Sequence, residues 1–237
     1  MSKTVIRKST SDLTDLIKKG TVLGKWIVDE HIGEGGFSHV FKGHHMFDRN
    51  KIVAIKVYKP KALRGDFKFF ASEVEVLRKL SAHKNIIDLL DYGVQYLPSS
   101  VPSEFIEAYY VVMKYVKENL EDYVKRKEVL SIEEALRIWY SVLEGLEYAY
   151  EEFKVIHGDI KPSNILLDDE GVYVTDFNTV KMISEEYWSR TLKVSTTGEY
   201  YTPGWAAPEQ EKGIVNEKTD VYLICLLYTS PSPRDRG

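Results

Sequence analysis

The chain is short of cysteine, of net charge and of long apolar runs, and each shortage excludes a class of protein. Cys225 is its single cysteine, so no internal disulfide forms and a disulfide-stapled secreted scaffold is excluded. Its 32 basic residues are outnumbered by 36 acidic ones, a net charge of −4 that leaves no global basic excess for a dedicated nucleic-acid binder. The longest apolar stretch, Val221 to Tyr228, falls far short of the roughly 20 residues that span a bilayer. The first 20 residues lack the apolar core of a secretion signal. No internal repeat occurs. These shortages predict a cytoplasmic protein without nucleic acid as partner, and they leave the oligomeric state open.

What is present is a chain of 237 residues, 43% hydrophobic and 12% aromatic, which is enough to bury a sizeable core. Residues 1–20 carry five Lys or Arg against two Asp and read as an arm or a weak helix, with a solvated arm favoured. From Val22 to Tyr58 the runs VLGKWIVDEHI, FSHVFKGH and KIVAIKVY place Val, Ile, Phe and Tyr between glycines, the pattern of antiparallel strands. A helix is predicted over Phe67 to Leu80, then strands at IIDLLDYG and AYYVVMKYV around the loop LPSSVPS. The second half is mainly helical, with Leu120–Lys127 and a longer helix from Ile132 to about Glu152. In that longer helix Ile132, Ala135, Leu136, Trp139, Val142, Leu143, Leu146 and Ala149 form an apolar stripe. NILL and VYVTDF flank the turn DDEG as a small hairpin. The order, strands first and helices after, is α+β.

Gly33-Glu34-Gly35-Gly36-Phe37-Ser38-His39-Val40 sets three glycines between two strands. No Gly-Lys-Ser/Thr follows, so it is not a Walker A loop. A strand rather than a helix comes next, so it is not a dinucleotide fingerprint. It is either a tight turn or a glycine hairpin whose backbone can lie close over phosphates. In Val53-Ala54-Ile55-Lys56-Val57, Ala54 and Lys56 point one way and the three branched residues the other. A lysine in so apolar a strand is costly unless something anionic meets it; the alternative is an exposed edge strand. On the helix that follows, Phe69, Phe70, Glu73, Val76, Leu77 and Leu80 share one face, and Glu73 is its only charge. Glu75 lies roughly 200° around the axis, so Glu73 is the carboxylate expected beside the sheet.

The strongest pattern is His157-Gly158-Asp159-Ile160-Lys161-Pro162-Ser163-Asn164, followed by Asp176-Phe177-Asn178. Phosphoryl transfer needs an aspartate to orient a hydroxyl, a lysine near the transferred group, and Asn and Asp oxygens for Mg²⁺.

With the glycine loop and VAIK, this run resembles a eukaryotic-type serine/threonine protein kinase over roughly residues 27–226. The resemblance implies a two-lobed fold, with an antiparallel N-lobe carrying one main helix and a helical C-lobe. It implies ATP and Mg²⁺ as cofactors and a protein Ser/Thr hydroxyl as acceptor. Lys56 would hold the α- and β-phosphates and pair with Glu73. Asp159 would be the catalytic base, Lys161 would neutralise the transferring phosphoryl, and Asn164 and Asp176 would bind the metal. Ile32, Gly33, Glu34, Gly35, Gly36, Phe37 and Ser38 would cover the nucleotide. Val40, Ala54 and Leu166 would enclose adenine, with Met113 at the gatekeeper position and Lys114 to Val116 at the hinge. His157, Phe177 and Leu77 match an apolar column of active kinases. Thr202 with Asp159-x-Lys161 is the serine/threonine pattern, within the Thr202–Glu209 end of an activation segment. Asp220-Val221-Tyr222 matches the start of the helix that anchors the catalytic loop.

The chain departs from that family at four places. Ser38 stands for the third loop glycine, and Asn178 for the glycine after the metal aspartate. Gly158 replaces the arginine that receives an activation-segment phosphate, which predicts independence from that switch even if Thr191, Ser195, Thr196 or Thr197 is phosphorylated. The fourth departure is the C-terminal part. Pro231 and Pro233 stop the last helix, and neither Arg234 nor Arg236 replaces the family's partner for Glu209. The expected organisation is an arm over 1–20, an N-lobe over 21–116, an incomplete C-lobe over 117–227, and an unrelated tail over 228–237. An incomplete lobe is expected to expose Tyr222, Leu223, Leu226 and Leu227. Two other functions fit parts of the pattern: a pseudokinase or nucleotide-binding scaffold, and a small-molecule phosphotransferase of the aminoglycoside or choline type. Lys161 and the Thr202–Glu209 segment disfavour the last.

Overall fold

Strands form in the first half because branched and aromatic side chains alternate there, and the computed structural model shows which faces they bury. It describes residues 4–6, 16–36, 38–59, 67–98, 104–177, 181–182 and 202–229, without the side chains at 4–6, 67–69, 72–73, 104, 181–182 and 228–229. The chain divides into two compact units, Met1–Lys79 with Asp88–Tyr115, and Leu80–Ile87 with Val116–Gly237.

The first unit holds β1 (Thr4–Ile6), β2 (Val22–Leu23), β3 (Trp26–Glu34), β4 (Ser38–His45), β5 (Asp48–Tyr58), helix α1 (Phe67–Leu80), β6 (Leu89–Pro98) and β7 (Glu104–Lys114). The strand order is β1-β7-β5-β4-β3-β2, and β6 pairs β7 along its other edge. All pairings are antiparallel except β1 with β7. Two bonds join the β2–β3 end of this path to β6: Trp26 Nε1 donates to Asp91 Oδ2 at 2.8 Å, and the Gly24 amide donates to Gln95 Oε1 at 3.4 Å. The sheet is therefore strongly curled around one core. Trp26, Val28, Phe41, Val53, Ile55, Val57, Ile106, Ala108, Tyr110 and Val112 fill it. Each large member contributes about 1.5–3 kcal/mol over an exposed position. Gly43 is required by this packing, since a Cβ there would lie 2.6 Å from the Ile27 carbonyl oxygen and 2.7 Å from Ile55 Cδ1.

Residues read as a solvated arm contribute to this unit. Thr4–Ile6 pair with Glu104–Ile106, and Ile17 is buried in the core with Leu16 packed against it. The low density of apolar residues in the first 20 hid this, because a three-residue strand needs only backbone partners.

The second unit holds β8 (Glu118–Asn119), α2 (Leu120–Lys127), α3 (Ile132–Phe153), β9 (Val155–Ile156), a 3-10 turn at Pro162–Asn164, β10 (Ile165–Leu167), β11 (Val172–Val174), β12 (Lys181–Met182), a 3-10 turn at Gln210–Lys212, and α4 (Glu217–Thr229). β10 and β11 form the expected hairpin, β8 adds to β10, and β12 pairs β9. The segment 80–87 joins this unit through its backbone: Ile87 N–H donates to Val174 O, and Val174 N–H donates to Asn85 O. The α3 stripe is displaced from the expected one. Its buried residues are Ile138, Val142, Gly145, Leu146 and Ala149, whereas Ile132 and Leu136 are exposed. A Cβ at Gly145 would lie 3.1 Å from Asn85 O, so close approach at a glycine chooses the face, and apolar periodicity does not register it. In α4, Leu223 is fully buried rather than exposed; Tyr222 is exposed and Leu226 and Leu227 are half-buried. Among the described residues no helix is long and apolar enough to cross a membrane.

Candidate active site

In the first unit, β5 lies between β4 and β7, so Lys56 sits on a central strand rather than an exposed edge. Val53, Ile55 and Val57 enter the core, and Lys56 on the other face is itself 95% buried, with Nζ 5.3 Å from the Tyr58 ring centroid. A cation held there has lost most of its hydration, which suits a phosphate ligand. On α1, Phe70, Val76, Leu77 and Leu80 are buried as the stripe predicts, joined by Val74. Glu75 points outward and pairs with Lys79 at 2.9 Å. The Glu73 side chain lies outside the described residues.

Between β3 and β4 the loop closes with the Gly35 amide donating to Ser38 O at 2.9 Å. Gly33, Gly35 and Gly36 have no left-handed φ. Among the described residues a Cβ would meet nothing nearer than 3.9 Å at Gly33 and 4.0 Å at Gly35, and nothing within 4 Å at Gly36. Neither conformation nor packing demands glycine here, and the bare backbone leaves room for a ligand to approach. This fits a nucleotide. Glu34 pairs with Lys59 at 2.6 Å, and Ser38 is buried in β4 opposite Tyr58. Phe37 lies outside the described residues. Val40, Ala54 and Lys114 are half-buried, Ile32 is exposed and Met113 is buried; the Lys114 amide is committed to Asp88 O at 3.0 Å.

In the second unit the catalytic run gathers around Asp159. Lys161 Nζ lies 2.9 Å from Asp159 Oδ2, and Asn164 Nδ2 donates to the same oxygen at 3.1 Å and to the Asp159 carbonyl at 2.8 Å. Thr202 Oγ1 donates to Asp159 Oδ1 at 2.8 Å and accepts from Lys161 Nζ at 2.7 Å. One hydroxyl thus bridges the carboxylate and the ammonium. Thr202 is held by a tight turn in which the Trp205 amide donates to Thr202 O at 2.8 Å, with Pro203 in second place and Gly204 at φ +81° in third. With its NH₂ spent on Asp159, Asn164 has its Oδ1 as the atom suited to a cation. Asp176 takes a left-handed φ of +70°, which aspartate tolerates better than most residues. Val116 is buried and Leu166 half-buried.

The backbone before Asp159 is gripped from α4. Asp220 Oδ2 accepts the His157 amide and Oδ1 the Gly158 amide, both at 2.7 Å. Burial pushes the Asp220 carboxyl above the ordinary range, while His157 and the two amides pull it down. His157 is fully buried; Nδ1 faces the Asp159 amide at 3.2 Å and Nε2 the Thr175 carbonyl at 2.9 Å, which assigns the proton to Nε2. Its ring lies 4.6 Å from that of Phe177. Gly158, where the resembling family has arginine, has φ +74°.

The match to known families decides the assignment: the model of the protein kinase domain covers residues 26–230. The chain belongs to the protein kinase domain family. This kinase domain is 32% identical over 211 residues to a probable serine/threonine-protein kinase of Clostridium perfringens, covering 86% of this chain and 28% of that protein. It is 34% identical over 204 residues to the cysteine-rich receptor-like protein kinase 44 of Arabidopsis thaliana, covering 83% of this chain and 50% of that protein. Over 215 residues it is 30% identical to the probable serine/threonine-protein kinase PknB of Lactococcus lactis, covering 86% and 32%. The chain thus spans half or less of the length of these relatives. The two-lobed α+β fold expected from the sequence is the fold of this family.

The kinase domain brings Asp159, Lys161 and Asn164 together as expected. Thr202 joins them as a fourth member; its signal in the sequence was the resemblance of the Thr202–Glu209 stretch to the end of an activation segment. Gln210, described below, carried none. Glu209 accepts from Thr219 Oγ1 at 2.8 Å. Asn178, Thr191, Ser195, Thr196, Thr197, Arg234 and Arg236 lie outside the described residues.

Proposed function

We propose that the kinase domain transfers the γ-phosphoryl group of ATP to serine and threonine hydroxyls of proteins. The observation that carries this reading is the triangle of Asp159, Lys161 and Thr202, with edges of 2.9, 2.7 and 2.8 Å. Asp159 orients the acceptor hydroxyl and takes its proton as the new O–P bond forms and the bond to the bridging oxygen of ADP breaks. Lys161 supplies positive charge beside that oxygen. Thr202 fixes the distance between the two, so each keeps its place when an acceptor enters. Lys56 and the bare backbone at Gly33, Gly35 and Gly36 hold the phosphates. Asn164 and Asp176 would hold Mg²⁺, which when bound neutralises phosphate charge.

The test is transfer from radiolabelled ATP to a generic protein substrate, using the full-length protein and Asp159→Asn. Phosphoserine and phosphothreonine are expected, with a fall of about 10²–10⁴-fold in the variant. Equal signal from both proteins removes the assignment, and phosphotyrosine alone removes the Ser/Thr specificity. Nucleotide binding with no transfer makes the domain a scaffold. Transfer only to choline or an aminoglycoside makes it a small-molecule kinase.

A further inference from the structure

Gly158 has no side chain, so only its backbone can fix the peptide that leads into Asp159. Both polar groups of that residue are taken by side chains from later in the chain. Its amide donates to Asp220 Oδ1 at 2.7 Å, and its carbonyl accepts from Gln210 Nε2 at 2.8 Å. Gln210 is 96% buried, and its orientation is set locally. Its own amide donates to Ala207 O at 2.9 Å, and its Oε1 accepts the Ala207 amide at 2.9 Å. With the oxygen end locked on Ala207, the NH₂ end is the only donor left to meet Gly158 O.

We propose that Gln210 is a positioning residue for Asp159, acting through the Gly158 carbonyl. The proposal rests on the kinase reading. Gly158 is a glycine at φ +74°, a conformation it leaves with little penalty, so the peptide needs a restraint on each side. Asp220 supplies one and Gln210 the other. The residue before Asp159 is not arginine and offers no side chain of its own, and this clamp ties the Ala207–Lys212 stretch to the catalytic loop.

Two variants in the full-length protein test this. Gln210→Glu keeps an acceptor for Ala207 and turns an oxygen toward Gly158 O; Gln210→Met fills the space with no hydrogen bond. Both are expected to lower kcat by about tenfold, the worth of one well-placed hydrogen bond. KM for ATP should stay within about twofold, since no nucleotide contact is touched. Amide exchange over residues 158–161 should quicken while that of Val53–Val57 is unchanged. Wild-type kcat and exchange in both variants overturn the proposal. So does a loss in which KM for ATP rises with the fall in kcat, or a chain that unfolds with either substitution, which assigns Gln210 to stability. A wild type that transfers no more than Asp159→Asn is the failure of the kinase reading, visible before any Gln210 variant is made.

Discussion

Single residues in this domain are explained by what lies beside them, and glycines make the contrast plain. Gly43 is glycine because the Ile27 carbonyl leaves no room, and Gly24 and Gly93 because the Tyr110 hydroxyl occupies the place a Cβ would take. Gly35 has no such neighbour among the described residues. Gly35→Ala should therefore leave folding stability within about 0.5 kcal/mol of wild type. It should raise KM for ATP by roughly tenfold, because the added Cβ stands in the space through which a phosphate approaches the backbone. Denaturant unfolding and initial-rate kinetics on the same preparation check both halves; a destabilised variant with normal KM would make the glycine a folding residue.

At the scale of elements, α3 shows how local chemistry sets a boundary. Ser131 and Glu134 form a reciprocal capping box, and Glu134 also accepts from Tyr123 Oη at 2.8 Å and pairs with Lys127. The Lys127 ammonium, the Ser131 amide and the Tyr123 hydroxyl hold the Glu134 carboxyl down at about 2, from an ordinary 4.5. A carboxyl held low contributes stability that is complete above pH 4.5 and is lost as pH falls toward 2. Glu134→Gln should flatten that part of a plot of Tm against pH and lower Tm at neutral pH; an unchanged acid limb would remove the cap from the account. Helices of this kind were legible in the sequence: α1 and α2 cover the predicted ranges Phe67–Leu80 and Leu120–Lys127, and α3 begins at Ile132 as its pattern asks. The triad of Asp159, Lys161 and Asn164 was legible too, because its members lie within six residues. β8, β9 and β12 were not, since two-residue strands have no period to read. Gln210 was equally silent, because its role depends on a carbonyl 52 positions away in sequence.

At the scale of the whole molecule, neither compact unit is a continuous piece of chain. Residues 80–87 are flanked on both sides by the first unit and belong to the second. Asn85 is the tightest link: its carbonyl accepts from Val174, and its Nδ2 donates to Val172 O at 3.0 Å. Asn85→Ala should cost about 1–3 kcal/mol by leaving the Val172 carbonyl without that donor. Hydrogen exchange should rise at Val172–Val174 and stay at the wild-type level in Val53–Val57. Equal acceleration at both places would mean that the two units open together. The same braid has a consequence for a chain made from its N-terminus. Residues 80–87 leave the ribosome about 90 residues ahead of β11, their partner strand. At cellular rates of synthesis that interval is on the order of ten seconds, during which Ile86 and Ile87 lack that strand. A chaperone that binds short apolar peptides would find a target there.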